Sequence, residues 1–132
     1  IRTIKEMKSQ RVKLTLDNET KEMDIKAIFV LNTPFTGGGL NIAPKAKIDD
    51  GLLDIVVIKG IGKLDLLMTL PKAYKGNHVG HPGIEFYRSK NVKIETDKPL
   101  KKLFDGNVYG TSPVEAELLP SALSVLAPAR RR

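Results

Sequence analysis

The chain has 132 residues, 41% of them hydrophobic, no cysteine and a formal net charge of +7. This is one domain's length, with apolar content sufficient for a core without covalent staples. The lack of cysteine excludes disulfides and thiolate metal sites, and a reducing, cytoplasmic setting is expected. No apolar run approaches the roughly 20 residues that cross a bilayer as a helix. Aromatic residues make up only 5% and do not interleave with Lys or Arg, so no nucleic-acid partner is expected. The positive charge reads as solvated lysines on exposed strands, or as attraction to an anionic partner, either membrane lipid or nucleic acid; a basic nucleic-acid-binding β-domain is a rival reading that charge alone favours.

Ile1, Ile4 and Met7 recur at helical spacing with charged residues between them. With no cap ahead of Ile1, residues 1–10 read as the end of a helix or linker from a preceding domain. Residues 11–17 alternate, placing Val12, Leu14 and Leu16 on one face of a half-buried strand. Asp17-Asn18-Glu19-Thr20 supplies a turn, and residues 23–32 return as one strand, apolar on both faces from Ile28 to Leu31. Pro34 ends that pairing. Residues 40–43 suggest a short strand, and Asp49-Asp50-Gly51 is a turn signal. Leu52 to Ile58 then runs almost wholly apolar and β-branched, as a strand crossing a core does.

Residues 63–74 are the one convincing helical stretch after the start, with Leu66, Leu67, Leu70, Ala73 and Tyr74 on one side. Pro71 is expected to interrupt it and start a second short turn, and Gly76 to stop it. Residues 84–96 read as a single strand in which Ile84, Phe86, Val92 and Ile94 share a parity. Residues 101–104 and 108–109 suggest a hairpin around Asp105-Gly106. Val114, Ala116 and Leu118 alternate with Glu115 and Glu117, and a last short strand is expected over residues 122–126. A basic tail, residues 129–132, closes the chain. Many short strands, Gly/Pro/Asp turns and one or two short helices predict a mainly β domain, a β-sandwich over residues 11–128.

Several pieces in this order carry a resemblance. They are Gly37-Gly38-Gly39-Leu40-Asn41-Ile42-Ala43-Pro44, Asp49-Asp50-Gly51-Leu52-Leu53-Asp54, Lys75-Gly76-Asn77-His78, His81-Pro82-Gly83, Asp105-Gly106 and Gly110-Thr111-Ser112-Pro113-Val114-Glu115. Together with Leu119-Pro120-Ser121-Ala122-Leu123, the series resembles the second domain of bacterial diacylglycerol kinases, relatives of sphingosine kinase. The resemblance implies a β-sandwich C-terminal domain, normally preceded by an α/β nucleotide-binding domain. It further implies ATP-dependent phosphorylation of a lipid hydroxyl, with ATP held through the preceding domain. The implied partners are that domain, a lipid substrate at the membrane surface and anionic lipid, and a homodimer is a further expected assembly. The protein would then be cytoplasmic and peripheral to the membrane.

Four positions are candidate sites. In the resembled family a structural Mg²⁺ or Ca²⁺ sits at the acidic turn, which maps onto the Lys47 carbonyl, the Asp50 carboxylate and the Leu52 carbonyl. Such ions take hard oxygen ligands and keep waters where the protein supplies few. The other reading of Asp49-Asp50 is an ordinary Asx-type turn. The second candidate is Asp105-Gly106-Asn107. The family carries Asp-Gly-Glu there, with the Glu as base for the lipid hydroxyl, whereas Asn107 cannot take a proton. Asp105 then reads as a supporting acid, or the pair simply forms a hairpin turn. His78 and His81, three apart in a Gly/Pro loop, are either two metal ligands or unrelated loop histidines. Gly37-Gly38-Gly39 lacks the Lys-Ser/Thr ending of a phosphate loop and reads as a structural turn. The Gly-Gly-Asp-Gly-Thr nucleotide motif of the family is absent from the chain, and a non-catalytic lipid- or anion-binding β-domain is the alternative reading.

Overall fold

The computed structural model describes residues 8–126. Residues 1–7, where the helix end is expected, and the basic tail lie outside the described residues. Among the described residues eleven strands and one helix follow in chain order: β1 Gln10–Leu16, β2 Glu19–Ile25, β3 Ala27–Leu31, β4 Phe35–Thr36, β5 Leu40–Asn41 and β6 Leu53–Ile58. Helix α1 spans Lys63–Tyr74, then β7 Ile84–Ser89, β8 Asn91–Thr96, β9 Lys101–Phe104, β10 Asn107–Thr111 and β11 Val114–Glu117. They form a four-stranded sheet in the order β11-β8-β1-β2 and a three-stranded sheet in the order β3-β6-β7. The pairs β4-β5 and β9-β10 are separate two-stranded ribbons.

The main core lies between the two larger sheets. Val12, Leu14 and Leu16 of β1, Met23 and Ile25 of β2, and Val92 and Ile94 of β8 meet Leu53, Ile55 and Val57 of β6. The alternation in β1 therefore has its cause in one dry and one wet face. Strand β6 differs because both of its faces are covered. Its even-numbered Val56 and Ile58 pack with Ile42, Ala43, Ala46, Ile61, Leu66 and Ile84 in a second cluster under α1 and the loop after β5. All six residues of β6 are buried, which accounts for a run that is apolar except at Asp54.

Two expected single strands are each divided between sheets. Residues 23–32 break at Lys26, whose N–H bonds to the Ile58 carbonyl at 2.7 Å as the chain passes from one sheet to the other. Residues 84–96 break at Lys90, so Ile84 faces the helix-side cluster while Val92 and Ile94 face the inter-sheet core. A continuous strand would have kept all three on one face. The second corner is fastened by Asp17, at φ +47°, whose carboxylate accepts the Asn91 N–H at 2.9 Å and the Lys90 N–H at 3.4 Å. The Asn91 bond, foremost, holds the Asp17 carboxyl below the usual carboxylate range.

Helix α1 is continuous through Pro71, contrary to the expected break. Pro71 sits on the exposed side, where water can take the carbonyl that its missing N–H leaves unbonded. Its buried face is Leu66, Thr69 and Ala73, not the five residues that periodicity selects; Leu67 and Tyr74 point outward. Lys75 caps the helix and Gly76 follows at φ +71°, the left-handed conformation that ends it. A Cβ at Gly76 would lie 2.9 Å from the Asn41 side chain, so this glycine also allows a close approach. Residues 122–126 form no strand.

Candidate functional site

The β9–β10 hairpin turns on Asp105 at φ +47° and Gly106 at φ +85°, two successive left-handed residues that fit the right-handed twist of the ribbon. Asn107 is the first residue of β10, opposite Phe104. The ribbon pairs only with itself, and β10 is exposed along its whole length. Its base is held instead by Ser112: the Ser112 N–H bonds to the Leu100 carbonyl at 2.8 Å, and Ser112 Oγ accepts the Leu100 N–H at 3.0 Å. Thr96 Oγ1 also hydrogen-bonds Ser112 Oγ. Leu100 in turn packs against the inter-sheet core. A fixed base thus projects a turn carrying an acid and an amide. Phe104 and Tyr109 meet edge-to-face at 6.1 Å beside it, and Leu103, Phe104, Val108 and Tyr109 all remain exposed.

The acidic turn is the Asx-type turn given above as its other reading, with an Arg88 pairing that no local pattern announces. Asp50 Oδ1 accepts the Leu52 N–H at 3.1 Å, the Asx-type turn, while Oδ2 pairs with the Arg88 guanidinium. Arg88 Nε also pairs with Asp54 Oδ1 at 3.2 Å. Asp54 is buried within β6, and its Oδ2 has no hydrogen-bond partner. Burial pushes the Asp54 carboxyl above the usual range, with the Arg88 charge pulling the other way and Asp50 adding repulsion. A raised carboxylate favours folding below its ordinary pKa and loses that contribution as pH rises through the raised value. The signal for this cluster was present in the β6–β7 register, which sets Asp54 directly opposite Arg88.

A hard divalent ion takes oxygen ligands, and the side chain this turn offers for one is the half-buried Asp50 carboxylate. The competing group is Arg88, which must yield Asp50 Oδ2 for an ion to be held there. No group of three or more His, Cys, Asp or Glu residues forms a metal cluster among the described residues.

His78 and His81 are not brought together as ligands. His78 is buried, its Nε2 is 2.8 Å from the Ile42 carbonyl, and its ring lies against Phe86. His81 Nδ1 accepts the Gly83 N–H at 3.1 Å, which leaves the proton on Nε2 to be donated to Asp65 at 3.2 Å. Gly37, Gly38 and Gly39 have φ of +51°, +78° and +102°, and nothing lies within 4 Å of a Cβ at any of them. They serve the turn between β4 and β5 through backbone conformation alone.

Two antiparallel sheets closed over one core, with an Asp-Gly turn raised on an exposed hairpin, define a β-sandwich-like domain. The chain belongs to the family described as "YegS C-terminal NAD kinase beta sandwich-like domain", whose sequence profile matches residues 1–127. A diacylglycerol kinase of Mycobacterium tuberculosis H37Rv is 37% identical over 97 residues, covering 74% of this chain and 31% of the relative. The "Probable lipid kinase YegS-like" of Shewanella frigidimarina is 32% identical over 117 residues, covering 87% of this chain and 37% of its own length. A crystal structure named "putative diacylglycerol kinase" from Bacillus anthracis str. Sterne superposes with a TM-score of 0.76 at 30% identity, over 90% of this chain and 38% of that one. The chain therefore spans about a third of the length of the curated relatives it matches.

Proposed function

We propose that this domain forms the lipid-acceptor side of an ATP-dependent lipid kinase, with nucleotide held by a preceding domain. The observation that carries this reading is the Asp105-Gly106-Asn107 turn, held at its base by Ser112 and exposed at its tip. Phosphoryl transfer requires an acceptor group aimed at the nucleophile and a separate cradle for the phosphates. The hairpin supplies a place for the first, and the family supports the second lying outside this chain. In the native polypeptide, incubation with labelled ATP and diacylglycerol in detergent micelles should yield labelled phosphatidic acid. Residues 1–132 alone should yield none, and titration calorimetry should find no stoichiometric ATP binding. Tight ATP binding by the isolated chain would overturn this division of labour.

The alternative, a lipid- or anion-binding domain without catalysis, is favoured by one observation: the base position of the turn holds an amide, Asn107. We further propose that the Asp50 turn takes Mg²⁺ or Ca²⁺ in exchange for the Arg88 guanidinium. The ion would cross-link the turn to the start of β6, with Asp50 and the Lys47 and Leu52 carbonyls as protein ligands. An ion bound only by the native state stabilises by mass action, so the melting temperature should rise with Mg²⁺ concentration and fall in EDTA. Asp50→Ala should abolish the dependence. Superimposable melts in EDTA and saturating Mg²⁺ for the unaltered chain would remove the ion from the account. A cytoplasmic location, peripheral to the membrane, belongs to the same proposal; among the described residues no helix is long and apolar enough to cross a bilayer.

A further inference from the structure

Helix α1 has two apolar faces, and the fold uses only one. Leu66, Thr69 and Ala73 are buried against the domain. On the opposite side Leu64 is 72% exposed, Leu67 54% and Met68 63%, with Tyr74 57% exposed at the end of the stripe. At about 100° per residue, Leu64, Leu67, Met68 and Pro71 share a strip roughly 100° wide, centred opposite the buried one. Lys63 borders it on one side and Lys72 on the other, and Lys75 closes its C-terminal end. All three lysines are exposed. None of them is in a salt bridge among the described residues. The acid on the helix, Asp65, is engaged by His81.

A helix on the surface of a soluble domain ordinarily turns a polar face to water. Here the outer face is apolar at its centre and cationic at its margins. Protein–protein interfaces are depleted in lysine, and nothing on this face supplies carboxylates to a facing copy of itself. Lysines that flank an apolar stripe can lay their stems along it and lift their ammonium groups to headgroup level, and a tyrosine ring suits the same depth. We infer that the outer face of α1 is a membrane-docking surface that seats in the headgroup region of an anionic bilayer. The choice of lipid as partner rests on the lipid-kinase reading; the assignment of this face rests on the exposed stripe and its lysine margin.

The test is co-sedimentation of the native polypeptide with vesicles of phosphatidylcholine containing about one-third phosphatidylglycerol, a composition with the negative surface potential that attracts basic segments. The double substitution Leu64→Gln with Met68→Gln should weaken partitioning at least about tenfold, the loss of two inserted side chains. Replacing Lys63, Lys72 and Lys75 by Gln should cost about fivefold per lysine on anionic vesicles and little on pure phosphatidylcholine. Because every substituted side chain is exposed, thermal melts should stay unchanged. Vesicle binding that survives the Leu64/Met68 substitution overturns the assignment. So does a lack of vesicle binding, including the case where sedimentation velocity finds a self-associating protein that the same substitution makes monomeric. Phosphorylation of lipid in detergent micelles needs no bilayer, so its persistence without vesicle binding would overturn the docking surface alone and leave the kinase reading standing.

Discussion

Asn107→Glu should raise lipid phosphorylation by the native polypeptide at least tenfold, the low end of the about 10²–10⁴ that a positioned base contributes, allowing for imperfect placement. Asn107 starts β10 directly after two left-handed turn residues, so its side chain stands at the exposed tip of the hairpin. An amide there can orient a lipid hydroxyl by hydrogen bond but cannot take its proton. The Glu variant should increase kcat with little change in KM, since the gain arises in the transition state. The fold should tolerate it, because an exposed turn-flanking residue seldom shifts stability by more than about 0.5 kcal/mol. Fast turnover with Asn107 in place, unchanged by Glu, would put the base elsewhere and detach this hairpin from proton transfer.

The largest stability effect is expected at Ile55. It lies in β6, is 0% exposed and packs in the inter-sheet core. Ile55→Ala should cost about 2–5 kcal/mol, since neighbours fixed in two sheets cannot collapse into the space left behind. Urea denaturation should show the midpoint falling with an unchanged slope. A loss below about 1 kcal/mol would mean that the two sheets close over the gap, and that the packing at β6 is looser than its burial implies.

Much of this architecture was legible in the sequence because each local rule had a single physical reading. Residues 11–17 alternate since one face of β1 is dry, and Leu52 to Ile58 does not because β6 is covered on both sides. Asp105-Gly106 marked a hairpin that forms with both residues at positive φ. The corners at Lys26 and Lys90 left no such mark, because hydrophobicity does not record which of two sheets an apolar face meets. The helix was misread for a related reason. With apolar residues on both sides of α1, periodicity cannot select the inner one, and it passed over Thr69 for Leu67 and Tyr74. At the acidic turn, reading along the chain found Asp50 but not Arg88, 38 positions later. Strand register sets Arg88 opposite Asp54, and from there its guanidinium reaches Asp50.

The pairing of β1 with β8 governs how the chain can be made. Leu14 and Ile94 are opposite each other in the sheet although 80 residues separate them. On a ribosome adding about 5–20 residues each second, the β1–β2 hairpin, complete at Ile25, waits roughly 3.5–14 s until its partner ends at Thr96. Through that interval one edge of β1 offers unpaired amides beside Val12, Leu14 and Leu16, a template for any strand that arrives first. The like charges on its other face, Arg11 and Lys13, are what the nascent hairpin has to discourage wrong partners until β8 emerges.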